Sequence, residues 1–263
     1  MTSDLVSSTP SAAHSPSFCV ALFDLDDTLF AHRSAVASGV AAHLQNVGAL
    51  TAGADTTKEL ARWFALEELH YHRYLAGEID FFAQRRARAR GFVEPYGEVL
   101  AEDADADAWF ETYLVEYERA WTLHEDTLPC LEMLAEQKIR VGVITNGELP
   151  FQAAKVQATG LSPYLEHTIA SGDVGFTKPD ARIFVEACAR FGVPVSKAMY
   201  IGDRLHTDAI GAADAGLSGV WLDRRQQATE ADRSAAHAAG VTVITSLAEV
   251  ESLVTRRHSP SRE

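Results

Sequence analysis

Two carboxylates one residue apart, Asp24 and Asp26, close an apolar run in Phe18-Cys19-Val20-Ala21-Leu22-Phe23-Asp24-Leu25-Asp26-Asp27-Thr28-Leu29. Such a pair repels itself, and a cation or a shared proton relieves the cost. A metal site or an acid–base pair is therefore the chemistry it suggests. Other polar groups follow similar runs. Thr145 closes Ile139–Ile144, Asp203 closes Ala198–Gly202 with Asp208 five residues on, and Lys178 lies in Thr177-Lys178-Pro179-Asp180. Carboxylates at two strand ends, with a hydroxyl at a third and a lysine at the start of the helix after the third strand-like run, suit a divalent metal and a phosphoryl group. Mg²⁺ prefers hard oxygen ligands, and Asp24, Asp203 and the Asp26 carbonyl are suitable donors. Lys178 can hold a phosphate oxygen and keep Asp24 ionised. Thr145 and the backbone N–H groups after it, beginning at Asn146, can donate to the remaining oxygens.

For these groups to meet, the apolar runs must lie side by side. Strand-like segments recur at 18–23, 139–144, 167–171, 198–202, 219–222 and 241–244. Helical segments at 126–137, 150–159, 180–191, 206–215, 229–239 and 246–254 alternate with them. This alternation predicts an α/β fold with a doubly wound, Rossmann-like parallel sheet, in which ligands bind beyond the carboxyl ends of the strands. Residues 32–122 break the pattern. They carry helix-like stretches near 33–47, 56–76, 78–91 and 104–121, with Trp63, Phe64, Leu66 and Leu69 among the apolar residues for a small core of their own. The expected organisation is a core of 18–31 and 123–255, an inserted α-helical cap at 32–122, and disordered tails at 1–17 and 256–263. The two crossings near Phe30-Ala31-His32 and Leu123-His124-Glu125 are the expected hinges.

Composition narrows the partners. The chain has 263 residues and a formal net charge of −14, which argues against a nucleic-acid binder, since phosphates call for basic surface. No apolar run approaches the roughly 20 residues of a membrane span. Three scattered cysteines, Cys19, Cys130 and Cys188, form no metal or disulfide spacing, so a cytoplasmic setting is expected.

The ordered set resembles the haloacid dehalogenase superfamily. Asp24 to Thr28 is similar to its Asp-x-Asp-x-Thr motif, Val143-Ile144-Thr145 to its hydrophobic strand ending in Ser or Thr, Lys178-Pro179 to its lysine motif, and Gly202 to Asp208 to its Gly-Asp-x-x-x-x-Asp motif. The resemblance implies that Asp24 is a nucleophile forming an aspartyl-phosphate, and that Asp26 is general acid and then base. It implies that Mg²⁺ sits on Asp24, Asp203 and the Asp26 carbonyl, supported by Asp208, with the phosphoryl group on Thr145, Asn146 and Lys178. It also implies a cap of the first type that closes over a small phosphorylated metabolite. Asp at position 26 points to the phosphatase branch. A phosphomutase and a non-catalytic module on the same scaffold are the rival readings.

Simpler readings attach to other residues. Asp208 could be only a charge near a helix N-terminus. His70 and His72 do not share a helix face. Arg85, Arg86, Arg88 and Arg90 read as a solvated helix face, with Arg85 and Arg88 able instead to line the cleft, and Arg224-Arg225 reads as surface.

Overall fold

The four inner strands of the sheet are short and almost wholly buried, as parallel strands covered on both faces must be. The computed structural model describes residues 18–48 and 52–255; the expected tails at 1–17 and 256–263 lie outside the described residues. In chain order, β1 (Val20–Phe23) is followed by four helices, α1 (His32–Asn46), α2 (Thr56–Leu75), α3 (Phe81–Val93) and α4 (Asp103–Arg119). The α/β alternation then resumes with α5 (Thr127–Glu136), β2 (Arg140–Thr145), α6 (Leu149–Ala158), β3 (His167–Ala170), α7 (Ser171–Val174), α8 (Ala181–Arg190) and β4 (Ala198–Gly202). After a π-helical turn, Leu205–Ile210, come α9 (Gly211–Asp214), β5 (Ser218–Leu222), α10 (Glu230–Ala238), β6 (Thr242–Ile244) and α11 (Val250–Thr255).

The six strands are all parallel, in the order β3-β2-β1-β4-β5-β6. The chain winds outward from β1 through β2 to β3, then returns to the other side of β1 at β4. The order therefore reverses between β1 and β4, and a crevice opens at such a reversal. Phe23 is in register with Val143 on one side and Ile201 on the other, so Asp24 emerges at that crevice.

Alternation along the strands divides the core. Ala21 and Phe23 face one apolar cluster with Val141, Val143, Met199 and Ile201, while Val20 and Leu22 face a second with Ile144, Phe184 and Tyr200. The first cluster runs on into the inserted helices, where Trp63 packs on Phe92 at 5.3 Å and Tyr113 at 4.3 Å between ring centroids. Local chemistry explains where these helices start. The Asp55 carboxylate accepts the Thr57 N–H at 3.0 Å, and Asp80 accepts that of Ala83 at 2.7 Å, each a side-chain cap on an unpaired first-turn donor. The Asp80 cap places the start of α3 at Phe81 rather than near residue 78.

The two crossings between sheet and helices run side by side. Ala31 N–H donates to the Thr122 carbonyl at 3.0 Å, and His124 N–H to that of Leu29 at 3.1 Å. Two expectations need correction. The helix expected at 206–215 begins as a π-helical turn, because the Arg204 carbonyl accepts both the Asp208 N–H at 2.9 Å and the Ala209 N–H at 3.4 Å. Arg224 is not surface: it is half-buried, with a bidentate pair to Asp126 at 2.8 and 2.9 Å and a hydrogen bond to the Thr28 carbonyl.

Candidate active site

The loop after β1 is wound tightly. The Leu25 carbonyl accepts the N–H groups of Leu29 and Phe30, and the Leu25 and Leu29 side chains are fully buried. Asp27 has a left-handed φ of 63°, and its carboxylate accepts the Arg33 N–H in the first turn of α1. This winding holds Asp24 and Asp26 at fixed places above the sheet edge. They line a cleft of about 820 Å³ together with Thr145, Asn146, Lys178, Asp203 and Asp208. The seven residues expected at the site therefore line one cavity, between the sheet edge and the inserted helices.

Lys178 is the centre of the arrangement. Its buried Nζ donates to Asp24 Oδ1 at 2.5 Å, Asp208 Oδ1 at 2.8 Å and the Ile144 carbonyl at 3.1 Å, and stands 2.8 Å from the Tyr200 hydroxyl. Burial opposes its charge, but Asp208 and Asp24 outweigh that and raise its pKa. Asp208 is 1 % exposed, and its other oxygen accepts the Arg204 N–H at 3.0 Å. It is thus an inward-facing anchor, not a surface charge at a helix end.

Oxygens of Asp24, Asp203 and Asp208 lie within 4.8 Å of one another. Lys178 pairs with Asp24 and Asp208 but not with Asp203, so the three carboxylates, if all ionised, would exceed the charge of the one ammonium among them. The electrostatics register this. Burial pushes the Asp24 carboxyl up to about 7, with Lys178 pulling it down and Asp208 and Asp26 adding to the rise. Burial, then Asp24 and Asp208, hold Asp203 well above the usual carboxylate range. A hard divalent cation fits such a donor set in charge and in ligand type.

Asp26 has a different environment, one not foreseen from the sequence. Lys155 of α6, 2 % exposed, places Nζ 2.7 and 2.9 Å from the two Asp26 oxygens. Gln152, one turn earlier, reaches Asp26 at 3.5 Å. On the other side His32 lies 3.9 Å from Asp26 and 3.5 Å from Glu67, and Glu67 pairs with Arg88 at 3.0 Å. Burial opposes the Asp26 charge, but Lys155 and then His32 overcome it and lower the pKa. The only sequence signal was the i, i+3 spacing of Gln152 and Lys155, which puts both on one helix face. Nothing local tells which way that face points.

Asn146 also makes contacts not foreseen from the sequence. Its side chain clasps the main chain of Lys178, accepting the N–H at 2.9 Å and donating to the carbonyl at 3.2 Å. The amide thereby positions the lysine loop. Thr145, buried, donates weakly to the Asn146 carbonyl at 3.3 Å. The arginine run of α3 is likewise not simply solvated. Arg86 and Arg90 pair with Asp103 and Asp107, whereas Arg85 and Arg88 line the cleft. His72 is exposed and pairs with Glu68 at 2.7 Å.

A sequence model of the haloacid dehalogenase-like hydrolases matches residues 20–216 of the chain. The chain is a haloacid dehalogenase-like hydrolase. This hydrolase is 31 % identical, over 89 % of its length and 98 % of the relative's, to the ribulose-1,5-bisphosphate 5-phosphatase of Halopiger xanaduensis. It is 30 % identical, over 77 % of its length and 83 % of the relative's, to the glyceraldehyde 3-phosphate phosphatase of Methanopyrus kandleri. Among solved structures, the HAD-hydrolase YfnB from Bacillus subtilis bound to magnesium covers 91 % of this hydrolase and is itself covered to 99 %. The TM-score is 0.73 at 21 % identity, a likeness of fold.

Proposed function

We propose that this hydrolase is a Mg²⁺-dependent phosphatase of small phosphomonoesters, working through an aspartyl-phosphate on Asp24. One observation carries the reading: the buried Asp24 carboxylate at a strand tip, 2.5 Å from Lys178 and beside two further carboxylates, with Asp26 two residues on. Mg²⁺, held by Asp24, Asp203 and the Asp26 carbonyl, would neutralise the excess charge and polarise the phosphoryl oxygens. Phosphoryl transfer needs mostly positioning and charge stabilisation, and Lys178 and Thr145 supply both. Both relatives described above are named as phosphatases.

In the first half-reaction an Asp24 oxygen attacks phosphorus, the ester P–O bond breaks, and Asp26 gives a proton to the departing alkoxide. In the second, Asp26 takes a proton from water, whose oxygen attacks phosphorus and frees Asp24 and inorganic phosphate. Asp26 must carry a proton at the start, which Lys155 disfavours. An incoming phosphoester dianion repels the Asp26 carboxylate and so favours its protonated form. Lys155 and Gln152 fix the direction of the carboxyl through both halves. The inserted helices act as a lid that excludes water and selects substrates.

The test is phosphate release from a panel of metabolite phosphates with Mg²⁺, for the native protein and Asp24→Asn. The expected outcome is turnover by the native protein only, lost in excess chelator, with an unchanged circular dichroism spectrum in the variant. Turnover persisting in Asp24→Asn sinks the covalent mechanism. Conversion of a hexose 1-phosphate to its isomer without free phosphate would make the protein a mutase.

A further inference from the structure

The cations that face the cleft are nearly all accounted for. Lys178 serves Asp24 and Asp208, Lys155 serves Asp26, Arg88 pairs with Glu67, and Arg204 pairs with Glu68 at 3.2 Å. Arg33 and Arg225 line the rim and are exposed, where water solvates them. Arg85 is the exception. It is half-buried, and no carboxylate of the described residues pairs with it; Glu111 and Glu118 act on it only at longer range. Its guanidinium instead lies against three rings of the cleft wall, 4.2 Å from the centroid of Phe81, 4.8 Å from Phe151 and 5.4 Å from Phe110. Rings at these distances stabilise a cation and fix its plane, but they do not satisfy its N–H donors. A half-buried guanidinium gives up part of its hydration with no anion to offset the loss, and burial accordingly presses its pKa down.

A second group waits beside it. Gln84, the preceding residue of α3, lines the same cleft, is 2 % exposed, and its Oε1 has no partner among the described residues. A short path joins this corner to the reacting end. The Phe151 ring that supports Arg85 lies 5.0 Å from Lys155 Nζ, which in turn holds Asp26. The cleft is therefore polarised. Carboxylates gather at the sheet edge, and an unpaired planar cation faces them from α3.

We propose that Arg85 is a specificity-determining residue that receives a second anionic group of the substrate, a carboxylate or a second phosphate a few carbons from the scissile ester. The proposal rests on the phosphatase reading and deepens it by naming the substrate class. The guanidinium fork matches either anion through paired N–H donors. Gln84 stands ready to bond a hydroxyl next to that anion. A neutral-tailed phosphoester leaves both groups unused.

Calorimetric titration of the full-length, Mg²⁺-loaded protein tests this without turnover. Three probes differ only in the far end: propylphosphonate with a neutral tail, phosphonobutyrate with a carboxylate, and propane bisphosphonate with a second phosphonate. The native protein is expected to bind at least one two-headed probe about tenfold or more tightly than propylphosphonate, an advantage on the scale of one charged contact. Which probe wins tells carboxylate from phosphate. Arg85→Gln should abolish the advantage and leave propylphosphonate affinity within about twofold, and Arg85→Lys should retain part of it. Two-headed probes that bind no better than propylphosphonate overturn the proposal, as does an advantage that survives in Arg85→Gln. Should Arg85→Gln fail to fold, Arg85→Lys decides, since full retention of the advantage there removes the role of the fork. Failure of propylphosphonate itself to bind indicts the phosphoester reading, a result separate from the loss of the two-headed advantage.

Discussion

Asp24 and Asp26 share one loop yet have opposite electrostatic environments. Asp24 is pushed up to about 7, chiefly by burial, while Lys155 and His32 overcome burial to lower Asp26. A carboxyl whose folded pKa is raised makes the native state bind more protons than the unfolded chain. Its contribution to stability therefore falls as pH rises from the ordinary carboxylate range, about 4, up to the folded value. In excess chelator the melting temperature should fall between about pH 5 and pH 7, and saturating Mg²⁺ should flatten that fall by supplying the missing charge. A melting temperature insensitive to Mg²⁺ across this window would argue against a cation at the acidic cluster. Lys155 invites a second measurement. Lys155→Met strands Asp26 in a largely enclosed place and should cost about 3 kcal/mol in urea unfolding, the lower range for breaking a buried pair. The Asp26→Asn, Lys155→Met double variant should recover much of that loss. Additive losses would mean that the two side chains do not stabilise each other.

At the scale of the element, the turn after β4 matters most. Gly202 ends the strand where an added Cβ would stand 2.4 Å from Asp208 Cβ and 2.5 Å from its Cγ. These atoms cannot retreat, because Lys178, Tyr200 and the Arg204 N–H hold the Asp208 carboxylate. Gly202→Ala should destabilise the fold by about 1–3 kcal/mol, the usual range for overpacking. It should also lower phosphate release more than tenfold by shifting Lys178 away from Asp24. Normal turnover in a folded Gly202→Ala protein would show that Asp208 is dispensable. This turn was only partly legible in the sequence. The glycine, the acid spacing and the strand end were readable from residue types, but the π-helical turn was not. It depends on the Arg204 carbonyl accepting two N–H groups while a side chain from a loop thirty residues earlier draws Asp208 inward.

The whole molecule is held in one arrangement by contacts between α2 and the sheet-edge loops. The Tyr74 hydroxyl donates to Glu148 at 2.7 Å, the Tyr71 hydroxyl donates to the Asn146 carbonyl at 2.8 Å, and Arg204 pairs with Glu68. These bonds cross the cleft, whereas the crossings at Ala31–Thr122 and Leu29–His124 sit behind it, where a lid would pivot. If the helices close over substrate, removing contacts on the open side should shift the balance outward. Small-angle scattering of Tyr74→Phe with Glu68→Ala should give a larger radius of gyration than the native protein, and a phosphate mimic with Mg²⁺ should reduce the difference. Identical profiles in all four conditions would count against gating. The ion pair is about half exposed on both sides, so its share should fade with salt.

Residue order alone determined the parallel α/β sheet, the helical insertion and the four segments that meet at the site. Each is written locally, in apolar runs of four to six residues, in the acids and hydroxyl at their ends, and in the lysine just before α8. Tertiary structure alone decided which partner each charge takes. Lys155 on Asp26, Asn146 on the lysine loop, Arg224 on Asp126 and Arg85 against the cleft rings all depend on where a helix face or loop points once the chain has folded. The physical reason is range. A strand's burial follows from its own side chains, but the free energy of a charge follows from groups that folding brings within a few ångströms from distant parts of the chain.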